Sequence, residues 1–106
     1  MPQLTDTRKI IKSSLSSIEE SELTVRDGVL GEDLEWVYGE GKISQIEVAM
    51  RALTKMIVDW NLTDANEKKL PITLDNVKKI NSEDILAILQ NTSFTTQAQQ
   101  GNQKKT

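Results

Sequence analysis

The 106-residue sequence contains no cysteine and no histidine. Without cysteine there is no disulfide framework, thiolate nucleophile or thiolate metal site. Without histidine the chain lacks the usual general base near neutral pH and the commonest metal ligand of proteins. Most ordinary catalytic and metal-binding arrangements are therefore excluded, and we expect a protein that is not an enzyme and that uses no cofactor.

Aromatic residues, strong net charge and long apolar runs are also scarce. Aromatic residues make up 4% of the chain, and the net charge is −3. A duplex-binding protein usually carries a basic stripe, and none is visible, so we do not expect a nucleic-acid partner. No apolar run approaches the ~18 residues of a membrane span. The N-terminal residues lack the basic and apolar regions of a signal peptide, so we expect a cytoplasmic protein without a membrane partner.

Carboxylates cluster at residues 19–22 and 32–35. Such clusters can in principle hold a hard cation, but neither spacing matches a calcium-binding loop. We therefore interpret both as solvated acidic segments and predict no metal site.

The first third of the chain carries short strand signals. Residues 8–12 contain two adjacent isoleucines, and residues 23–26 alternate apolar and polar side chains as a half-buried strand does. The Asp-Gly pair at 27–28 is a turn signal, after which residues 29–30 can return as another strand. In residues 32–38, Leu34, Val37 and Tyr38 fit one helical face, while residues 36–38 have the composition of a strand. We predict a small N-terminal β-meander or hairpin.

An amphipathic helix is the clearest element of the sequence. Ser44 and Glu47 form a capping box, in which the serine hydroxyl accepts from the backbone N–H of Glu47 and the carboxylate reaches back. Apolar residues then recur at three- and four-residue spacing, which predicts one core-facing stripe on a helix that ends at Trp60. The stripe consists of Ile46, Ala49, Met50, Leu53, Met56, Ile57 and Trp60.

Two shorter helices and a polar tail follow. Thr73 and Ser82 are the predicted N-caps of these helices. Beyond Phe94 the only apolar residue is one alanine, so this segment cannot offset its ordering entropy. We predict an α+β fold in which the N-terminal meander or hairpin is followed by three helices. Residues 8–94 would form a single domain, and residues 95–106 a disordered polar tail.

Aromatic and methionine side chains are the candidates for a partner-binding surface. Trp36 and Tyr38 lie in a segment with little apolar sequence around it, and Trp60 ends the predicted main helix beside a polar turn. Exposed aromatic residues often anchor protein interfaces. Met50 and Met56 could contribute, because thioethers suit adaptable surfaces. The alternative for all five residues is that they fill a small core.

The run from Leu53 to Val77 resembles small proteins of long-tailed bacteriophages. In these proteins an amphipathic helix ends in a Trp-Asn-Leu corner, here residues 60–62, which is followed by Leu-Pro-Ile-Thr, here residues 70–73, and by another helix. The similarity extends over residues 44–89, and residues 23–31 are similar to the strand-rich start of the group.

The proteins of this group are encoded near the tail tube and tape-measure genes and are taken to be tail assembly chaperones. The resemblance implies a non-enzymatic chaperone in the host cytoplasm that covers the apolar face of the tape-measure protein. Tape-measure and tube proteins would be its partners. The alternative is a structural virion component, such as a head–tail completion or minor tail protein. The usual Asn-Gly of the corner is replaced here by Asn66 and Glu67.

Overall fold

A computed structural model describes residues 2–39 and 43–93. It shows an α+β fold in which a three-stranded antiparallel sheet and the helices share one apolar core, as predicted. The predicted tail, residues 95–106, lies outside the described residues. The elements in chain order are β1 (Ile10–Ser13), β2 (Leu23–Arg26), a 3-10 turn (Gly31–Asp33), α1 (Leu34–Tyr38), α2 (Gln45–Met56), β3 (Ile57–Trp60), α3 (Leu74–Val77) and α4 (Ser82–Gln90).

The sheet has the order β1-β2-β3, with β2 in the centre. Strands β1 and β2 confirm the predictions for residues 8–12 and 23–26. The buried side chains of Leu23 and Val25 on β2 point into the core, as the alternating pattern requires. The third strand is not residues 29–30, which form no strand, but β3 from the middle of the chain.

The prediction placed the end of the main helix at Trp60, which is four residues too late. Helix α2 stops at Met56, and Ile57 already has the extended backbone of a strand. Ile57 and Trp60 are three residues apart, a spacing that also places side chains on one face of a helix. In the strand this spacing results from a bulge, where the pairing of β2 with β3 shifts register. The extra residue in β3 allows both side chains to face the core.

Helix α2 begins as its capping signal predicts. The Ser44 hydroxyl accepts a hydrogen bond from the Glu47 N–H at 3.1 Å. The Glu47 carboxylate does not reach back to the cap and instead pairs with Arg51 and Lys78, at 3.2 and 2.9 Å. Ile46 was predicted to face the core, but it is 72% exposed because it lies in the first turn, ahead of the buried stripe. The buried residues of the helix are Ala49, Ala52, Leu53 and Met56.

The remaining helices are short. Residues 32–38, which fitted either a helix or a strand, belong to the 3-10 turn and α1. This short helix precedes the three predicted helices, which are α2, α3 and α4. Thr73 caps α3 as predicted, since its hydroxyl accepts from the Asn76 N–H at 3.3 Å. The N-cap of α4 is Asn81 and not Ser82, because the Asn81 side-chain oxygen accepts from the Glu83 N–H at 2.9 Å.

A buried carboxylate ties the loop between β1 and β2 to α4. Oδ1 of Asp84 accepts from the backbone N–H and the hydroxyl of Ser16, at 3.0 and 2.7 Å. Oδ2 accepts from the hydroxyl and N–H of Ser17, at 2.5 and 3.3 Å. The hydroxyls of Ser17 and Ser16 lower the pKa of Asp84 to about 2, because they stabilise its charged form. The serine-rich segment is thus held on the helix by hydrogen bonds.

Candidate protein-binding surface

The structure places the five candidate binding residues in three environments. Trp36 and Tyr38 lie on α1 and are 39% and 49% exposed. Met50 on α2 is half-buried. Met56 and Trp60 are buried, with exposed fractions of 0% and 2%. The two exposed aromatic residues lie two positions apart on α1, and therefore on different sides of this short helix, whereas Met56 and Trp60 belong to the core.

Trp60 closes the corner after β3. Its indole Nε1–H donates to the Leu70 carbonyl at 2.8 Å. The Leu70 N–H in turn donates to the Leu62 carbonyl at 2.9 Å, so the two ends of the corner are held side by side. Because its N–H has a partner and its ring lies in the core, Trp60 stabilises the fold.

Met56 is likewise a core residue with a defined contact. Its sulfur accepts a hydrogen bond from the Gly28 N–H at 3.3 Å. Gly28 has a φ of 107°, a backbone conformation that glycine adopts without steric cost. The thioether therefore packs between α2 and the turn after β2.

Helix α1 carries three exposed apolar side chains, Leu34, Trp36 and Tyr38, which we call the α1 surface. The only buried residue of the helix is Val37, which attaches α1 to the core. Leu34 and Tyr38 are four residues apart and share one side of the helix. Sequence reasoning placed Leu34 on the same helical face as Val37, although only Val37 is buried. The exposure of Leu34 follows from the length of the helix, because a helix of five residues directs only one side chain, Val37, into the core.

Two cations of α2 lie against the ring of Trp36. The guanidinium carbon of Arg51 is 5.2 Å from the ring centroid, and the Lys55 ammonium is 4.8 Å from it. Both distances are within the range of cation–π attraction. Arg51 also donates to the Trp36 carbonyl at 2.7 Å, so the helix and the ring are bound by the same side chain.

These cations are themselves held by carboxylates. Lys55 pairs with Asp33 at 3.7 Å, and Arg51 pairs with Glu47. Lys78, the residue that follows α3, pairs with the same carboxylate of Glu47. The side chains of Lys78 and then Arg51 lower the pKa of Glu47. The network restrains the two cations that lie against the Trp36 ring.

Two clefts lie away from the α1 surface. One, of about 440 Å³, lies over the solvent face of the sheet, where Lys69 pairs with Asp59 at 2.5 Å and Lys12 donates to the Thr24 hydroxyl at 2.9 Å. The other, of about 370 Å³, borders the corner and includes Ile80. In the sheet cleft these charged groups already have partners within the protein, so it is a weaker candidate site than the α1 surface.

In residues 2–39 and 43–93, no group of three or more acidic side chains is placed to hold a metal ion. None of the helices in this part of the chain is long and apolar enough to cross a membrane.

Comparisons with known proteins give no match. No protein-family model, no curated protein and no solved structure matches the chain significantly. The function must therefore be inferred from the residues and contacts of this chain.

Proposed function

We propose that this chain is a non-enzymatic tail assembly chaperone of a long-tailed bacteriophage. It would cover apolar surface of the tape-measure protein in the host cytoplasm during tail assembly. The observation that carries the proposal is the α1 surface, where Leu34, Trp36 and Tyr38 are exposed together on one short helix. The resemblance of residues 53–77 to small phage proteins supplies the class of partner.

The α1 surface has the chemistry that an amphipathic helical partner requires. Leu34 and Tyr38 offer apolar area that is removed from water when a partner's apolar side chains cover it. Arg51 and Lys55 lie beside Trp36 and are paired with Glu47 and Asp33, so the border of the α1 surface is charged. Apolar contact at the centre with charged groups at the rim is the usual composition of a protein interface.

The small size of the α1 surface suits reversible binding. Three side chains on a five-residue helix cover much less area than a permanent interface does. A chaperone must release the tape-measure protein when tube subunits polymerise around it. A weak contact that is already ordered in the unbound protein binds at little conformational cost and is displaced easily.

Co-purification tests the proposal. The full chain is co-expressed with an affinity-tagged fragment of the neighbouring tape-measure protein and purified at about 0.1 M and about 1 M salt. We expect the complex to persist at high salt, because screening weakens exposed charge pairs and leaves apolar contacts intact. The combined change Leu34→Ala and Tyr38→Ala should release the fragment. Loss of the parent complex at high salt would contradict the apolar mechanism.

A matched control is available on α4. Leu86 is 51% exposed, which is close to the exposure of Tyr38, but it lies outside the α1 surface. Leu86→Ala should therefore leave co-purification unchanged. If Leu86→Ala releases the fragment as readily as the α1 changes do, binding is not localised to α1.

Mass spectrometry of purified virions separates the chaperone from the alternative, a head–tail completion or minor tail protein that remains in the particle. A chaperone is displaced during assembly, so its peptides should be absent from virions while tube peptides are abundant. Stoichiometric presence of the chain in virions would favour the structural component.

A further inference from the structure

Strand β1 has a partner on one side alone within the described residues. The sheet order places β1 at an edge, and no other strand in residues 2–39 and 43–93 pairs with its outer side. The chain before it, residues 2–7, is exposed and forms no strand. An uncovered edge of this kind is a template for another strand.

The register shows which backbone groups point outward. In an antiparallel pair, residues opposite each other alternate between hydrogen-bonded and non-bonded positions. The Asp27 N–H donates to the Lys9 carbonyl at 2.7 Å, so this pair is bonded, and Ile11 and Val25 form the next bonded pair. Ile10 and Lys12 lie at the non-bonded positions.

The hydrogen bonds between β2 and β3 confirm this alternation of bonded and non-bonded positions. The Asn61 N–H donates to the Glu22 carbonyl at 3.1 Å, so Glu22 and, two residues later, Thr24 direct their backbone groups toward β3. Thr24 is the partner of Lys12 and therefore does not bond to it. The N–H and C=O groups of Ile10 and Lys12 accordingly face away from β2, and they give the edge two donors and two acceptors.

We infer that two copies of this chain associate through antiparallel pairing of their β1 strands about a two-fold axis at Ile11, which joins two three-stranded sheets into one of six strands. This inference does not depend on the proposed function. In this register the outward groups of Ile10 in one copy meet those of Lys12 in the other. Four hydrogen bonds form between the copies, as two pairs related by the two-fold axis. The two Ile11 side chains meet at the axis on the core side of the sheet.

Charge selects this register over its neighbours. An axis at Lys12 would set the two Lys12 side chains directly opposite each other, and an axis at Ile10 would set Arg8 opposite Lys12. Like charges in directly opposite positions destabilise a strand pair. With the axis at Ile11, Lys12 is opposite Ile10, and Lys9 is opposite Ser13. No cation is then directly opposite another.

A second copy also suits the side chains that border the edge. Ile10 is 52% exposed on the solvent face, and a strand paired alongside β1 would cover part of its side chain. A lysine on an edge strand often prevents pairing by projecting outward. Here the Lys12 ammonium donates to the Thr24 hydroxyl at 2.9 Å and so leans inward over β2. Lys12 therefore does not project outward from the edge.

Sedimentation velocity of the full chain tests the dimer. Because the interface is small, we expect the dimer fraction to rise with concentration over roughly 10 µM to 1 mM. Lys12→Pro removes the outward N–H of residue 12 and leaves the bonds between β1 and β2 intact, so it should weaken association at least about tenfold. Lys12→Ala keeps that N–H and should still dimerise. Circular dichroism of both variants confirms folding.

A charge pair tests the register without touching the backbone. Ile10 is exposed, so its substitution should not unfold the domain. Ile10→Glu would place a carboxylate opposite Lys12 of the other copy and tighten the dimer, whereas Ile10→Lys would loosen it. Two such pairs form, so the dissociation constants of the variants should differ by at least about fivefold.

Three results would overturn the inference. The first is a chain that stays monomeric up to about 1 mM. The second is a dimer that folded Lys12→Pro leaves unchanged. The third is equal association of the two Ile10 variants, which would place the contact elsewhere or in another register.

Discussion

The two tryptophans of this chain have opposite environments. Trp60 lies on β3, is almost wholly buried, and donates its indole N–H to the carbonyl of Leu70. Trp36 lies on α1, is well exposed, and has its ring against Arg51 and Lys55. Sequence reasoning gave both residues the same two possibilities, a binding surface or a core.

The difference shows what decides the role of an aromatic residue in a small domain. Trp60 follows a long helix and pairs with the central strand, so the sheet and the corner supply apolar neighbours and a hydrogen-bond acceptor. Trp36 belongs to a helix with one buried residue, Val37, and there is too little core around it to cover its ring. The size of the surrounding core therefore separates a structural tryptophan from a displayed one.

The largest effect is expected in the core, at Leu53, which is fully buried on α2. Leu53→Ala should lower the free energy of unfolding by about 2–5 kcal/mol, because it removes buried methyl groups and leaves a cavity. Exposed Leu86→Ala should cost less than about 1 kcal/mol. Urea unfolding followed by circular dichroism measures both. A cost for Leu53→Ala below about 1 kcal/mol would show that the stripe of α2 faces a partner instead of the core.

Replacing each tryptophan by phenylalanine sharpens the comparison directly. Trp60→Phe should cost about 1–3 kcal/mol, since it leaves the Leu70 carbonyl without its donor and underfills the core. Trp36→Phe should cost less than about 1 kcal/mol, since the ring is exposed and a weaker cation–π contact remains. The measurement is again urea unfolding. Equal costs would mean that the two environments do not differ as described.

Asp84 extends the comparison to a charged group that is buried and accepts hydrogen bonds from Ser16 and Ser17. Its pKa is about 2 in the folded protein and about 3.8 in the unfolded chain. The stabilisation from its charged form is therefore complete above about pH 4 and is lost as the pH falls from about 3.8 toward 2. Asp84→Asn should lower the thermal midpoint near neutral pH and reduce its dependence on pH in that acidic window.

The matched control for this prediction is Asp6→Asn. Arg8 also lowers the pKa of Asp6 to about 2, but Asp6 is on the surface. Its removal should change the midpoint at neutral pH less than Asp84→Asn does. Thermal scans at several pH values compare the two, and an unchanged acid profile in Asp84→Asn would show that the serine contacts do not stabilise the fold.

The smallest expected effect lies in the corner that Trp60 closes. Glu67 has a φ of 63°, in the left-handed region that favours glycine. Glu67→Gly should raise the free energy of unfolding by roughly 0.5–1 kcal/mol, because relief of backbone strain exceeds the added entropy of the unfolded chain. Glu67→Ala keeps the strain and should give no gain.

Much of the fold was predictable from local signals. The alternation of β2 and the caps at Ser44 and Thr73 each depend on a few neighbouring residues, and the structure confirms them. β3 was missed because its pairing partner, β2, is more than thirty residues away in the sequence. The bulge also gave Ile57 and Trp60 a spacing that fits a helix equally well.

The candidate site was predictable only where it depends on local sequence. Composition indicated Trp36 and Tyr38, and both are exposed on α1. The contacts of Trp36 with Arg51 and Lys55 were not predictable, because they depend on how α1 packs across α2. Whether Trp60 and Met56 were displayed or buried depended in turn on the third strand.

The most direct test of the central claim compares binding at the two regions. A single-tryptophan form, Trp60→Phe, makes Trp36 the sole fluorescent reporter, and a tape-measure fragment is titrated into it. We predict a blue shift of Trp36 emission on binding and a dissociation constant raised at least about tenfold by Leu34→Ala with Tyr38→Ala, but unchanged by Leu86→Ala. Binding that leaves Trp36 emission unaltered and tolerates both α1 changes would contradict the account.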